Sequence, residues 1–158
     1  MAKLNSANEL KEISEKLKEE TFKPNALRAR VCCGTACTAT GAHKVIDSFK
    51  KEAANTGLDL EIVETGCQGI CQKGPVLKVE PMDIFYQRTK PENVPWIMSY
   101  SILGNMPYRQ GLYRDDILSE PVPVMGDIPF YKKQKRIALR NNGVVDPCNI
   151  NHYIAVGG

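Results

Sequence analysis

Much of what would place this 158-residue chain in a common protein class is missing. It has no apolar run long enough to cross a bilayer, which excludes a transmembrane helix and direct membrane insertion. Its opening, MAKLNSANELKEISEKLKEE, lacks the apolar core of a secretory leader. The expected compartment is therefore the cytoplasm, where thiols stay reduced. Charge is nearly balanced, with 21 basic and 18 acidic residues and a net charge of +3. That is too mild to argue for nucleic acid or an anionic membrane as a partner. There is no C-x-x-C pair, which argues against a thioredoxin-type redox dithiol. No internal repeat or low-complexity tract is evident. The length can bury a real core, so disulfide staples are not needed for folding.

Cysteine is what the chain does have. Five of its six cysteines fall in two tight clusters: Cys32, Cys33 and Cys37, then Cys67 and Cys71, with Cys148 alone near the end. Clustered cysteines in a reducing compartment point to a metal or cluster site before disulfides.

The surrounding pattern places these clusters. Leu10, Ile13 and Leu17 recur at helical spacing, Ser6 and Glu9 match a capping box, and Pro24 ends the segment. Residues 1–26 thus form an N-terminal segment with an amphipathic helix. LRARVC, 27–32, reads as a strand. A helix opens at Thr38 or Thr40, buries Val45, Ile46 and Phe49, and is capped by Gly57. LDLEIVE, 58–64, alternates as a second strand, with Leu58, Leu60 and Ile62 inward and Val63 outward. The connection is long enough for a right-handed parallel crossover. After the loop TGCQGICQKGP, the segments VLKVEP and IFYQRT pair as a hairpin. Residues 91–105 form a helix with Val94, Ile97, Met98 and Ile102 inward and Trp96 packed. Residues 106–158 carry prolines without a clear period and read as an extended linker or docking arm. Within it, Gly143 ends a partly helical basic run, and a last helix starts at Pro147 behind an Asp146 cap.

Both clusters thus lie in glycine-rich loops at strand ends. If the strands are parallel neighbours, the loops meet at one sheet edge and four thiolates converge. Gly34, Gly66, Gly69 and Gly74 let backbone approach a cluster and offer N–H groups to its sulfurs. A helix opening near Thr38 favours anionic thiolates, and Arg30 and Lys73 are expected to add positive charge. A zinc site is the rival. Zinc knuckles, however, pair close cysteines on few other elements. Here C-x4-C and C-x3-C are separated by a strand–helix–strand unit, a spacing that favours iron–sulfur ligation. Cys33 is left over and is expected on the strand's other side. Cys148 reads as a free thiol, and His43 as a surface or interface residue rather than a ligand.

The segments CCGTACTATGAHKVIDSFKKE, VETGCQGICQKGPVLKVEP and FYQRTKPENVPWI resemble the thioredoxin-like [2Fe-2S] ferredoxin family over about residues 27–105. The matching positions are Cys32, Gly34, Thr35, Cys37, Gly66, Cys67, Gly69, Cys71, Gly74 and Pro75. The resemblance implies an α/β thioredoxin-like fold, with a mixed sheet, a parallel β-α-β unit and a C-terminal hairpin and helix. It also implies a [2Fe-2S] cluster on Cys32, Cys37, Cys67 and Cys71, with Gly34, Thr35, Gly66, Gly69 and Gly74 around it, and one-electron transfer as the activity. The segment IPFYKKQKRIALRNNGVVDPCNINHYIAVGG resembles the stretch preceding the flavin domain in diaphorase subunits of respiratory complex I, NAD(P)-linked hydrogenases and formate dehydrogenases. That likeness implies partners in such a complex and an FMN- and NAD(H)-binding domain downstream. Nothing in the chain matches the FMN/NADH loop or a [4Fe-4S] run, so neither nucleotide is expected to bind this chain. It reads as a truncated piece or one half of a split gene. The family includes dimers, so a homodimer of the excised domain is an expectation. The basic residues Lys132, Lys133, Lys135, Arg136 and Arg140 are expected on a solvated helix face or a docking surface, not on nucleic acid. The alternative is a structural module with a zinc or degenerate four-cysteine site.

Overall fold

The computed structural model describes residues 6–117 and 119–158. The first five residues of the expected N-terminal segment, and Leu118 of the arm, lie outside the described residues.

Helix α1 (Ala7–Thr21) begins as its sequence predicts: the Ser6 hydroxyl accepts from the Glu9 N–H at 3.2 Å. Strand β1 (Arg28–Cys32) leads into a short helix α2 (Thr35–Ala39). This opens at Gly34, earlier than expected. The chain then turns at Gly41, whose φ of 104° only glycine adopts readily, into the long helix α3 (Ala42–Thr56). Its Val45, Ile46 and Phe49 are buried and Gly57 closes it, as predicted.

Strand β2 (Glu61–Thr65) runs parallel to β1. It starts later than the alternation suggests, because Leu58 and Leu60 already pack on the core from the preceding turn. Strands β3 (Leu77–Glu80) and β4 (Ile84–Tyr86) form the expected hairpin, and the sheet order is β2-β1-β3-β4. A helical run follows over residues 91–103, with one regular α turn, α4 (Val94–Ile97). It buries Val94, Ile97, Met98 and Ile102. Trp96 departs from expectation: it is 55% exposed and stacks on Tyr108 at 6.4 Å.

The sheet has two different faces. Ala29, Val31, Leu77, Val79, Ile84 and Tyr86 share the side that α3 and the 91–103 run cover. Strand alternation puts Arg28, Arg30, Lys78 and Glu80 on the other side, where they form an ion network. Arg30 Nε donates to Glu80 at 2.8 Å, and Lys78 Nζ lies 2.7 Å from the same carboxylate. Burial alone would raise the Glu80 pKa; Arg30 and Lys78 outweigh it and hold the carboxyl below its ordinary value.

The segment beyond residue 105 is not an extended linker. It folds back along the edge of β4 and onto this second face. Leu112 and Val124 bridge to Tyr86 and Ile84, and a small hairpin forms between β5 (Tyr113–Arg114) and β6 (Pro121–Val122). Phe85 meets Tyr113 and Tyr131 edge-on, and Ile128 is fully buried just before helix α5 (Pro129–Lys132). The last helix, α6 (Ile150–Ala155), starts after Pro147 and is capped by Asn149, not Asp146. It packs on α1, with the Ser14 hydroxyl donating to the Ile154 carbonyl at 2.7 Å. This cover explains why Val63, expected outward, is buried. It also explains why every residue of β1 is buried.

Candidate metal centre

Parallel pairing of β1 and β2 brings the two cysteine loops together at the C-terminal edge of the sheet. The register ends at Cys32 opposite Thr65, so each strand delivers its loop at the same level. Cys32 and Cys37 are 1% and 2% exposed, Cys67 is half-buried and Cys71 is exposed. The sulfurs form a row of neighbours: Cys32 is influenced electrostatically by both Cys37 and Cys67, and Cys67 lies 3.7 Å from Cys71.

Two glycines make the close approach possible. A Cβ on Gly34 would sit 2.8 Å from the Cys67 Cβ, and one on Gly74 would sit 2.8 Å from the Cys37 Sγ. Gly69, at φ 91°, turns its N–H toward the Cys67 sulfur at 3.4 Å. Gly66 lies under the Asn142 side chain. Thr35 opens α2 with its side chain exposed; the threonine that braces the loop is Thr38, whose hydroxyl donates to the Cys33 carbonyl at 3.1 Å.

The thiols are tuned unequally. Hydrogen bonding to Cys37, with the Gly34 and Gln68 N–H groups, outweighs burial and lowers Cys32 to about 6. Cys37 is pushed up by that same bond and by burial. At Cys67 the Gly69 N–H pulls the pKa down, but burial and the neighbouring Cys71 win and raise it.

The donor set suits iron–sulfur ligation. Four thiols in a row, with backbone N–H groups facing the sulfurs and no room for a Cβ at Gly34 or Gly74, leave a cradle for a flat inorganic cluster. When bound, a [2Fe-2S] cluster supplies one reversible electron. The protein's part is to supply thiolates, donate N–H···S bonds and keep water from the Cys32 and Cys37 side.

Charge does not reach the site as the sequence suggests. Arg30 is engaged by Glu80 and by the Val144 carbonyl, and Lys73 by Asp116 and the Arg114 carbonyl. Sequence reasoning missed instead the cover that the tail provides. Asn142 Nδ2 donates to the Cys67 carbonyl at 2.8 Å, the Tyr131 hydroxyl donates to the Gln68 carbonyl at 3.0 Å, and Phe130 rests on Gly69. Arg136, from the basic run, stacks over Tyr131 and donates to the Asn142 carbonyl. No local periodicity marks these residues.

Cys33 is set apart from the row, as expected. It lies on the α3 side, half-buried, and burial together with Glu64 pushes its thiol up to about 12. Cys148 is exposed and unpaired to any other cysteine. No helix among the described residues is long and apolar enough to cross a membrane.

Comparison with known proteins agrees with the geometry. A family model described as thioredoxin-like [2Fe-2S] ferredoxin matches residues 20–101, just over half of the chain. A 2Fe-2S ferredoxin of Aquifex aeolicus is 29% identical over 75 residues, 46% of this chain and 68% of that protein. One from Clostridium pasteurianum is 28% identical over 68 residues, 42% of this chain and 67% of that protein. The crystal structure of the wild-type Aquifex aeolicus thioredoxin-like [2Fe-2S] ferredoxin superposes with a TM-score of 0.50 at 24% identity, covering 55% of this chain and 95% of that one. A cysteine-to-serine variant of it gives 0.50 at 25% identity, covering 54% and 95%. With its sulfur row, its β-α-β frame and these relatives, the chain belongs to the thioredoxin-like [2Fe-2S] ferredoxin family, electron carriers that hold a [2Fe-2S] cluster.

Proposed function

We propose that Cys32, Cys37, Cys67 and Cys71 are the cluster ligands, and that the chain is the one-electron relay at the front of a diaphorase-type assembly. The observation that carries this reading is the row of four sulfurs with its tail-built cover. The tail segment that resembles the approach to a flavin domain is also the segment that braces the Cys67 loop. A flavin-bearing neighbour in contact with this tail would therefore sit close to the cluster. FMN and NAD(H) belong to that neighbour. The cluster meets solvent at Cys71, and electrons pass to the next carrier across that edge. The exposed Trp96 and Tyr100, grouped with the half-buried Tyr108, offer a second surface, for another subunit or for a homodimer of the isolated chain.

The test has two arms. Anaerobically purified protein carries two irons and two sulfides per chain and, once reduced, gives a [2Fe-2S] EPR signal. Cys32→Ser, Cys37→Ser, Cys67→Ser and Cys71→Ser each lose or alter that signal, whereas Cys33→Ser keeps it. If Cys33→Ser is the damaging change and Cys32→Ser is silent, the ligand assignment fails. For the relay, NADH reduces the cluster only when a diaphorase-type flavoprotein from the same organism is added. No reduction by that mixture, with the cluster intact, removes the diaphorase role and leaves the electron carrier.

A further inference from the structure

We propose that Cys33, His43 and Glu64 form a second, mononuclear metal site that takes zinc, on the side of β1 opposite the sulfur row. Their ligand atoms all lie within 4.8 Å of one another, the compact trio of His, Cys and carboxylate groups found among the described residues. The trio is built from three elements. Strand alternation turns Cys33 away from Cys32 and onto the α3 side of the sheet. Glu64 pairs in register with Val31 and therefore shares that side. The left-handed turn at Gly41 sets the start of α3 over the same sheet edge and carries His43 there. The His43 Nδ1 lies 3.8 Å from a Glu64 oxygen.

The sulfur is held in place. The Cys33 N–H donates to the Thr65 carbonyl at 2.8 Å and its own carbonyl accepts from the Thr38 hydroxyl at 3.1 Å. Its backbone is thus fixed to both β2 and α2. Its side chain packs partly against the apolar cluster that includes Val31, Ala42 and Ile46. The other two ligands face water, with side chains 56% and 42% exposed.

One thiolate, one imidazole and one carboxylate make a borderline donor set. Zinc accepts all three, and three protein ligands with a solvent-facing fourth position is a recognised zinc arrangement. Binding would release the Cys33 proton to solvent as the metal–sulfur bond forms. It would tie the end of β1, the edge strand β2 and α3 together immediately behind Cys32. The inference does not depend on the diaphorase reading, only on a chain whose cluster is loaded.

The experiment uses cluster-loaded protein, so that the four row cysteines are occupied by iron. Zinc is added, excess is removed by dialysis, and zinc and iron are counted per chain. One zinc is retained with two irons unchanged, and X-ray absorption at the zinc edge shows one sulfur at about 2.3 Å among lighter ligands at about 2.0–2.1 Å. Cys33→Ser and His43→Ala each weaken zinc binding by at least about tenfold while keeping the [2Fe-2S] EPR signal, which also shows that the variants fold. No retained zinc overturns the site. So does zinc that enters only as iron is lost, or zinc held equally by both variants.

Discussion

Asn142 donates to the Cys67 carbonyl at 2.8 Å across 75 positions of chain. A tail residue thereby fixes the loop that carries two of the four sulfurs. Removing the amide, as in Asn142→Ala, costs about 1 kcal/mol for the lost bond and opens the Cys67 side to water. Water stabilises the more negative, reduced state, so the reduction potential rises, on the order of 20–50 mV for a one-electron couple. A redox titration followed by EPR measures it. An unchanged potential would show that the tail braces the fold without acting on the cluster.

Gly34 and Gly74 are intolerant of a side chain because each faces a cysteine of the sulfur row rather than open space. Gly34→Ala would press on the Cys67 Cβ and Cα at 2.8 and 3.1 Å, and Gly74→Ala on the Cys37 sulfur at 2.8 Å. Each should destabilise by about 1–3 kcal/mol and lower the iron and sulfide retained after anaerobic reconstitution. Gly66→Ala meets only the end of the Asn142 side chain at 3.3 Å and should retain both better than either.

The ion network beneath the tail gives stability a definite pH dependence. Glu80 is held below its ordinary value in the folded protein. Its contribution is therefore complete above the unfolded carboxylate pKa, about 4.3, and is lost as pH falls through and below that value. Glu80→Gln leaves Arg30 without its carboxylate and costs about 2–4 kcal/mol at pH 7. The deficit relative to the parent shrinks as acid protonates Glu80 in the parent. Urea melts at pH 7 and pH 3.5 read both effects.

Ile128 anchors the tail against Phe85 on the second sheet face, and it is fully buried. Ile128→Ala should cost about 2–4 kcal/mol. If the tail is part of the folded unit, the loss appears in the melting of the whole chain and the cluster bleaches faster under a chelator. If only tail signals respond, the tail is an independent flap.

The parts legible in the sequence are those specified by neighbours along the chain. Helix periodicity named Val45, Ile46 and Phe49, and Val94, Ile97 and Met98, all of which are buried. The paired loops after β1 and β2 followed from a crossover long enough to be parallel. Alternation assigned Cys33 to the far side of the strand. What was not legible depends on contacts between distant segments. Arg30 looked available to the cluster until Glu80, 50 positions away, engaged it. Val63 looked solvent-facing because its cover comes from segments distant in sequence. The tail has no period because it adheres through separate residues: Leu112 and Val124 bridge the edge of β4, Ile128 packs in the cluster with Phe85, and Tyr131 meets Phe85 and the Gln68 carbonyl. Trp96 breaks the usual rule for large apolar residues by pairing with Tyr108 at the surface.

The gradient of exposure along the sulfurs, from Cys32 and Cys37 to Cys71, also decides how the site would age. Oxidants and chelators meet one sulfur first, so wear begins at a known atom. In protein stored in air, Cys71 would be the first of the four to accept an alkylating label or to gain oxygen. Cys32 and Cys37 would be the last, shielded by the same packing that brings the two loops together.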